Sequence, residues 1–113
     1  MKLSELLSVP YVLQIESIEK EDGNWICRAA FPELPECVVE RNSPLTAIDE
    51  LEDMRIQTIF KWIEDGKAVP ALRPALNNGE FNLTMEPIAN KCKRLGLVQW
   101  LDRLNEDVKV TTD

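Results

Sequence analysis

Apolar and polar residues alternate from Tyr11 to Ile18, with Tyr11, Leu13 and Ile15 set against Val12, Gln14 and Glu16. A period of two predicts a half-buried strand. Asp22-Gly23 supplies a turn that needs a positive φ, and Trp25 to Phe31 returns as a second strand. Pro32 and Pro35 stiffen the following link, and Cys37 to Arg41, β-branched at Val38 and Val39, reads as a third strand. Ahead of the hairpin, Met1 to Val9 reads as a short helix or arm that ends before Pro10.

The period then changes to helical. Ser43 is a good N-cap, Pro44 suits the first helical position, and Gly66 is the expected stop just past Asp65. Leu45, Ile48, Leu51, Ile59, Trp62 and Ile63 form one stripe, with Glu50, Asp53, Lys61 and Glu64 mostly off it. One long helix laid on a three-stranded antiparallel sheet buries that stripe. A fourth strand around Lys67 to Leu72 would complete the layer. The expected class is therefore α+β.

Pro70, Pro74, Asn77, Asn78 and Gly79 read as a linker, which divides the chain into residues 1–74 and 75–113. Beyond it Phe81, Leu83 and Met85 alternate with Glu80, Asn82 and Thr84 as a short strand. Pro87 opens a helix through Leu95, Gly96 breaks it, and Leu97 to Val108 forms a second helix. Their apolar faces carry Ile88, Cys92 and Leu95, then Val98, Leu101, Leu104 and Val108. The tail is thus expected to be strand–helix–helix.

Charge separates these two parts. The chain carries −7 overall; residues 1–74 hold 8 Lys+Arg against 14 Asp+Glu, and residues 75–113 hold 5 against 6. An acidic front part repels nucleic acid and attracts a basic partner. The tail holds the one tight basic cluster, Lys91, Lys93 and Arg94. Histidine is absent, which removes Ser-His-Asp and Cys-His catalysis and the commonest zinc ligand. Cys27, Cys37 and Cys92 have no CxxC spacing and read as reduced, mostly buried thiols. No apolar run approaches the roughly 20 residues of a membrane span, and no signal-peptide core follows the interrupted leucines of the N-terminus. A cytoplasmic protein without cofactor or metal, and not an enzyme, is the expectation.

The front part resembles the HicB family, the antitoxin half of a bacterial toxin–antitoxin pair. The resemblance rests on the Tyr11 strand, Glu21-Asp22-Gly23 followed by Trp25, Phe31-Pro32-Glu33-Leu34-Pro35 with Cys37 two residues on, Ser43 and Pro44 ahead of Ala47, and Pro70 closing the unit. Glu36 stands where the family usually has Gly. The resemblance implies a partial ribonuclease-H-like fold without that enzyme's activity. It also implies a small basic RNA-cleaving HicA-like toxin as partner. The tail is similar to a ribbon–helix–helix module through Phe81-Asn82-Leu83-Thr84 and Pro87, although Gly96-Leu97-Val98 lacks the hydroxyl usual at its turn. In such modules two chains pair their strands, and outward side chains enter the major groove of operator DNA. That implies a homodimer or higher homo-oligomer.

Each candidate residue has two readings. Asn82 and Thr84 either read bases or are solvated positions of a dimer ribbon, and Glu80 opposes the first. Lys91, Lys93 and Arg94 either grip phosphates or complement the C-terminal end of the first tail helix. Glu16, Glu19, Glu21 and Asp22 cluster at one turn, so they read as a solvated, steering surface rather than as a two-metal site. Trp25, Phe31 and Trp62 read as core or interface aromatics, and Trp100 as a dimer anchor or ordinary core. An orphan interaction module that keeps the fold without toxin or DNA is the alternative to an antitoxin.

Overall fold

The computed structural model describes residues 1–76 and 87–112. It is α+β, with a three-stranded antiparallel sheet and one long helix. A short helix α1, Leu3–Leu6, precedes β1 (Gln14–Glu19), β2 (Trp25–Ala30), β3 (Val38–Arg41) and α2 (Pro44–Glu64). After α2 come β4 (Val69–Pro70), α3 (Ile88–Arg94), a 3-10 helix (Val98–Arg103) and β5 (Val110–Thr111). Among the described residues no helix is long and apolar enough to cross a membrane.

The sheet order is β1-β2-β3, with Gln14 opposite Ala30 and Ala30 opposite Val38. The hairpin turn closes through the Gly23 N–H, which donates to the Lys20 carbonyl at 2.9 Å, with Gly23 at φ 85°. β1 starts at Gln14 and not at Tyr11 because its partner strand runs out. Beyond Ala30, the Phe31 N–H donates to the Cys37 carbonyl and Pro32 has no N–H, so no ladder extends to Val12 or Leu13. The elbow itself is two consecutive turns. The Leu34 N–H donates to the Phe31 carbonyl and the Cys37 N–H to the Leu34 carbonyl, at 2.9 and 2.8 Å. Pro32 and Pro35 each occupy the second position of their turn, where the ring presets φ.

Both ends of α2 follow from local chemistry. Ser43 Oγ accepts from the Thr46 N–H, and Pro44 is the first helical residue. At the far end Lys67 N–H donates to the Trp62 carbonyl and Gly66 N–H to the Ile63 carbonyl, with Gly66 at φ 75°. That pair of bonds is a Schellman motif. α3 ends the same way, through Leu97 N–H to Cys92 and Gly96 N–H to Lys93.

Cys27, Ala29 and Val39 turn one sheet face toward α2, and all three are buried. The buried side of α2 differs from the predicted stripe. Leu45 is 75% exposed, whereas Ala47, Leu51, Glu52, Arg55, Ile56, Thr58, Ile59 and Phe60 are buried. The face is wider because two layers cover it, the sheet on one side and residues 87–112 on the other. Phe60 stacks on Trp100 with centroids 4.2 Å apart and planes at 6°. Cys92 and Trp100 belong to the same core cluster as Leu3, Phe31 and Leu51.

Two expectations about strands and helices are corrected. Lys67 to Leu72 does not add a fourth strand to the sheet. Its core, β4, pairs in parallel with β5, Val69 opposite Val110, as a separate two-stranded sheet. The second tail helix is a 3-10 turn over Val98–Arg103, and residues 104–108 run on to bond the N-terminus instead of continuing it. The expected strand around Phe81 to Met85 lies outside the described residues, as do Asn77, Asn78, Gly79 and Glu80.

Candidate functional site

β1 to β3 bring Glu16 and Glu40 onto one open surface with Arg28 between them. By register Gln14, Glu16, Ile18, Ile26, Arg28, Ala30, Val38 and Glu40 share the face opposite α2, and none of them is buried. Across its middle Glu16 faces Arg28, which faces Glu40, and Arg28 Nη2 meets Glu40 Oε2 at 2.6 Å. Two half-buried isoleucines, Ile18 and Ile26, lie opposite one another toward the hairpin turn, and exposed Val38 lies at the other end. A sheet face carrying both apolar side chains and charge, with no element laid over it among the described residues, is a docking surface in composition.

The hairpin turn extends that surface. Glu16, Glu19, Lys20, Glu21, Asp22 and Asn24 are all exposed. Asp22 accepts from the Asn24 N–H at 2.9 Å, and that bond holds its carboxyl below the usual carboxylate range. The turn is therefore ordered by its own side chains and keeps its negative charge. Beside it Trp25 is 59% exposed. Trp25 is thus not a core aromatic, whereas Phe31 is fully buried and Trp62 half-buried.

The tail candidates fare differently. Lys91 is buried, and its Nζ donates to Asp53 Oδ1 at 3.0 Å. Arg94 donates to both Asp53 oxygens, at 2.9 and 2.8 Å. First Arg94 and then Lys91 hold the Asp53 carboxyl below its ordinary range. These two cations thus fasten α3 to α2, a third role that neither sequence reading contained. Lys93 is exposed on the same helix. Asn82 and Thr84 lie outside the described residues.

No protein-family model, curated protein or solved structure matches this chain.

The thiols carry no reactive setting. All three cysteines are free and buried. Burial pushes Cys37 and Cys92 up from the usual thiol range, and Cys37 Sγ donates to Thr58 Oγ1 at 3.4 Å. A raised pKa leaves a thiol protonated and a poor nucleophile. Among the described residues no three His, Cys, Asp or Glu side chains are grouped to hold a metal ion.

Proposed function

We propose that this protein is a HicB-like antitoxin that binds and neutralises a small basic RNA-cleaving HicA-like toxin. The observation that carries the reading is the uncovered sheet face, with Glu16 and Glu40 to one Arg28, beside the exposed Glu19, Glu21 and Asp22 of the turn. A face with scattered apolar side chains and an excess of carboxylates suits a basic protein and repels RNA. Neutralisation on this reading is occlusion, and no catalytic step is required of this chain. The sheet and α2 would then correspond to a partial ribonuclease-H-like unit. Residues 75–113 would pair with those of a second copy as a ribbon–helix–helix-like tail on operator DNA. That arrangement needs residues 80–85 paired between chains and the 3-10 segment rewound, with Asn82, Thr84 and Lys93 facing the duplex and Lys91 and Arg94 released from Asp53.

The test is co-expression with the small basic protein encoded beside this gene. Growth arrest by that protein, relieved by this one together with protection of cellular RNA, is the expected result. A neighbour without toxicity, or toxicity that this protein leaves untouched, removes the antitoxin reading. Operator binding is tested separately by gel mobility shift on the upstream DNA, with Asn82→Ala and Lys93→Ala. Salt-sensitive binding weakened in both variants is expected.

One observation favours a second reading, an orphan interaction module without DNA binding. Two of the three cations of the Lys91, Lys93 and Arg94 cluster are spent on Asp53, and in the sequence Glu80 comes two residues before Asn82. Absence of any mobility shift together with no toxic neighbour selects it.

A further inference from the structure

The largest exposed side chain of the sheet has no structural task. Trp25 opens β2 opposite Glu19 and lies on the same face as Cys27 and Ala29, yet it is 59% exposed while both of those are buried. It stands at the end of the sheet where the hairpin turn and the start of α2 meet. There Lys20, Asp22, Asn24, Trp25, Ile26 and Asn42 line an open groove of about 420 Å³. Within the lining Asp22 balances Lys20; beside it the exposed Glu19, directly opposite Trp25 on β1, and the exposed Glu21 add negative charge. The Asp22 side chain is already oriented by Asn24, through N–H and Nδ2 bonds of 2.9 and 3.1 Å.

An exposed indole with Glu19 opposite it on the neighbouring strand and the oriented Asp22 carboxylate beside it is the chemistry that receives a guanidinium. The ring face attracts the cation, the planar group stacks on it, and the carboxylates accept its N–H donors. Tryptophan and arginine are also the residues that dominate binding energy at protein interfaces. We infer that the Trp25 groove is an anchor point for an arginine side chain of a basic protein partner, held on the indole and by the Glu19–Asp22 carboxylates. As the identity of that partner, a toxin rests on the antitoxin reading. The preference for an arginine-bearing chain rests on Trp25, on Glu19 opposite it and on Asp22.

The experiment uses the full chain and a short arginine-rich synthetic peptide, with an acidic peptide of equal length as control. Amide and indole N–H shifts are followed by NMR during titration. The arginine peptide is expected to move the Trp25 indole signal and the amides of Lys20, Asp22, Asn24 and Asn42 saturably, while the acidic peptide moves none of them. Trp25→Ala, checked for unchanged fold by circular dichroism, is expected to weaken the peptide about fivefold, and Trp25→Phe less. Glu21→Lys should weaken it as well. Shifts spread evenly over all acidic surfaces, or an affinity indifferent to Trp25→Ala, overturn the inference. Because the titration contains no toxin, its failure is separate from failure of the growth test. A toxin neutralised equally well by the Trp25→Ala variant also overturns the groove and leaves the antitoxin reading standing.

Discussion

Tyr11 is the only tyrosine of the chain, so its titration can be followed without overlap. Its ring is buried and its hydroxyl donates to the Pro70 carbonyl at 2.6 Å, tying the start of the hairpin segment to β4. Burial, more than the nearby charges, pushes its pKa from 10.0 to about 12. The neutral phenol is thus favoured in the folded state. Between pH 10 and about 12 the unfolded chain ionises while the folded one does not, so stability is complete below that window and falls as pH rises through it. The fall is about 2–3 kcal/mol. Phenolate absorbance should therefore appear late and together with unfolding, and Tyr11→Phe should flatten the alkaline loss in urea titrations. Phenolate formation near pH 10 in a folded chain would contradict this. The buried Glu52–Arg55 pair makes the same point about residues in hidden places. Arg55 bonds both Glu52 oxygens, at 3.1 and 2.5 Å, and donates to the Leu7 carbonyl, with both side chains at 0% exposure. In the sequence they look like two ordinary helix-surface charges three residues apart. Only the fold reveals that α1 ends over them and supplies a third partner.

At the scale of elements, the contact most open to test is the one between α2 and α3. Asp53 takes Lys91 and both arms of Arg94, and Lys91 is only 1% exposed, so removing that carboxylate takes a charged partner from a buried ammonium group. Asp53→Asn should cost about 2 kcal/mol and raise amide exchange in α3 ahead of the sheet. The lowered carboxyl pKa sets the sign with pH. The contribution is present above the ordinary carboxylate range, about pH 4, and is lost as pH falls through the depressed folded value. Exchange in α3 that matches the wild type in this variant would show that apolar packing alone holds the helix. What could be read in the sequence follows the same division between local and distant causes. Ser43-Pro44 and Gly66 mark the ends of α2 because caps are made by neighbours along the chain. Gly96 stops α3 for the same reason. The partner of Val69 could not be read, since Val110 lies at the other end of the chain. Nor could the true stripe of α2, because Phe60 stacks on Trp100, forty residues further along the chain. For the candidate surface, the acidic turn was visible as a run of letters. The exposure of Trp25 was not, since its alternation with Cys27 and Ala29 marks it as inward while α2 does not reach it.

The whole molecule is closed by its last residues. Leu3 N–H donates to the Glu106 carbonyl and Val108 N–H to the Met1 carbonyl, while Val69 and Ala71 donate to Lys109 and Thr111. One short segment thus bonds the N-terminal arm on one side and β4 on the other. Arg103 lies over the Trp100 ring at 4.2 Å, and Trp100 in turn lies on Phe60 of α2. The described part of the tail therefore shares the core of the front part. Its near-neutral charge is consistent with that, because it brings little repulsion to an acidic partner surface. A chain of this size has about 5–15 kcal/mol of stability in total. Removing residues 105–113 deletes at least five backbone hydrogen bonds among the described residues, at about 1 kcal/mol each, together with the partly buried Val108 and Val110. The truncated chain should lose most of its stability, and the loss should spread to the sheet. In urea, circular dichroism of the sheet and helix and fluorescence of the stacked Trp100, read in a Trp25→Phe, Trp62→Phe background, should give coincident transitions in the full chain. In the truncated chain both should shift together to low denaturant. If the sheet instead unfolds where it did before and only the Trp100 signal moves, the front part stands alone and the tail is free to pair with a second copy. That outcome would strengthen the ribbon–helix–helix reading of the tail. A joint shift would mean that any strand exchange between copies must first break the Asp53 and Phe60 contacts.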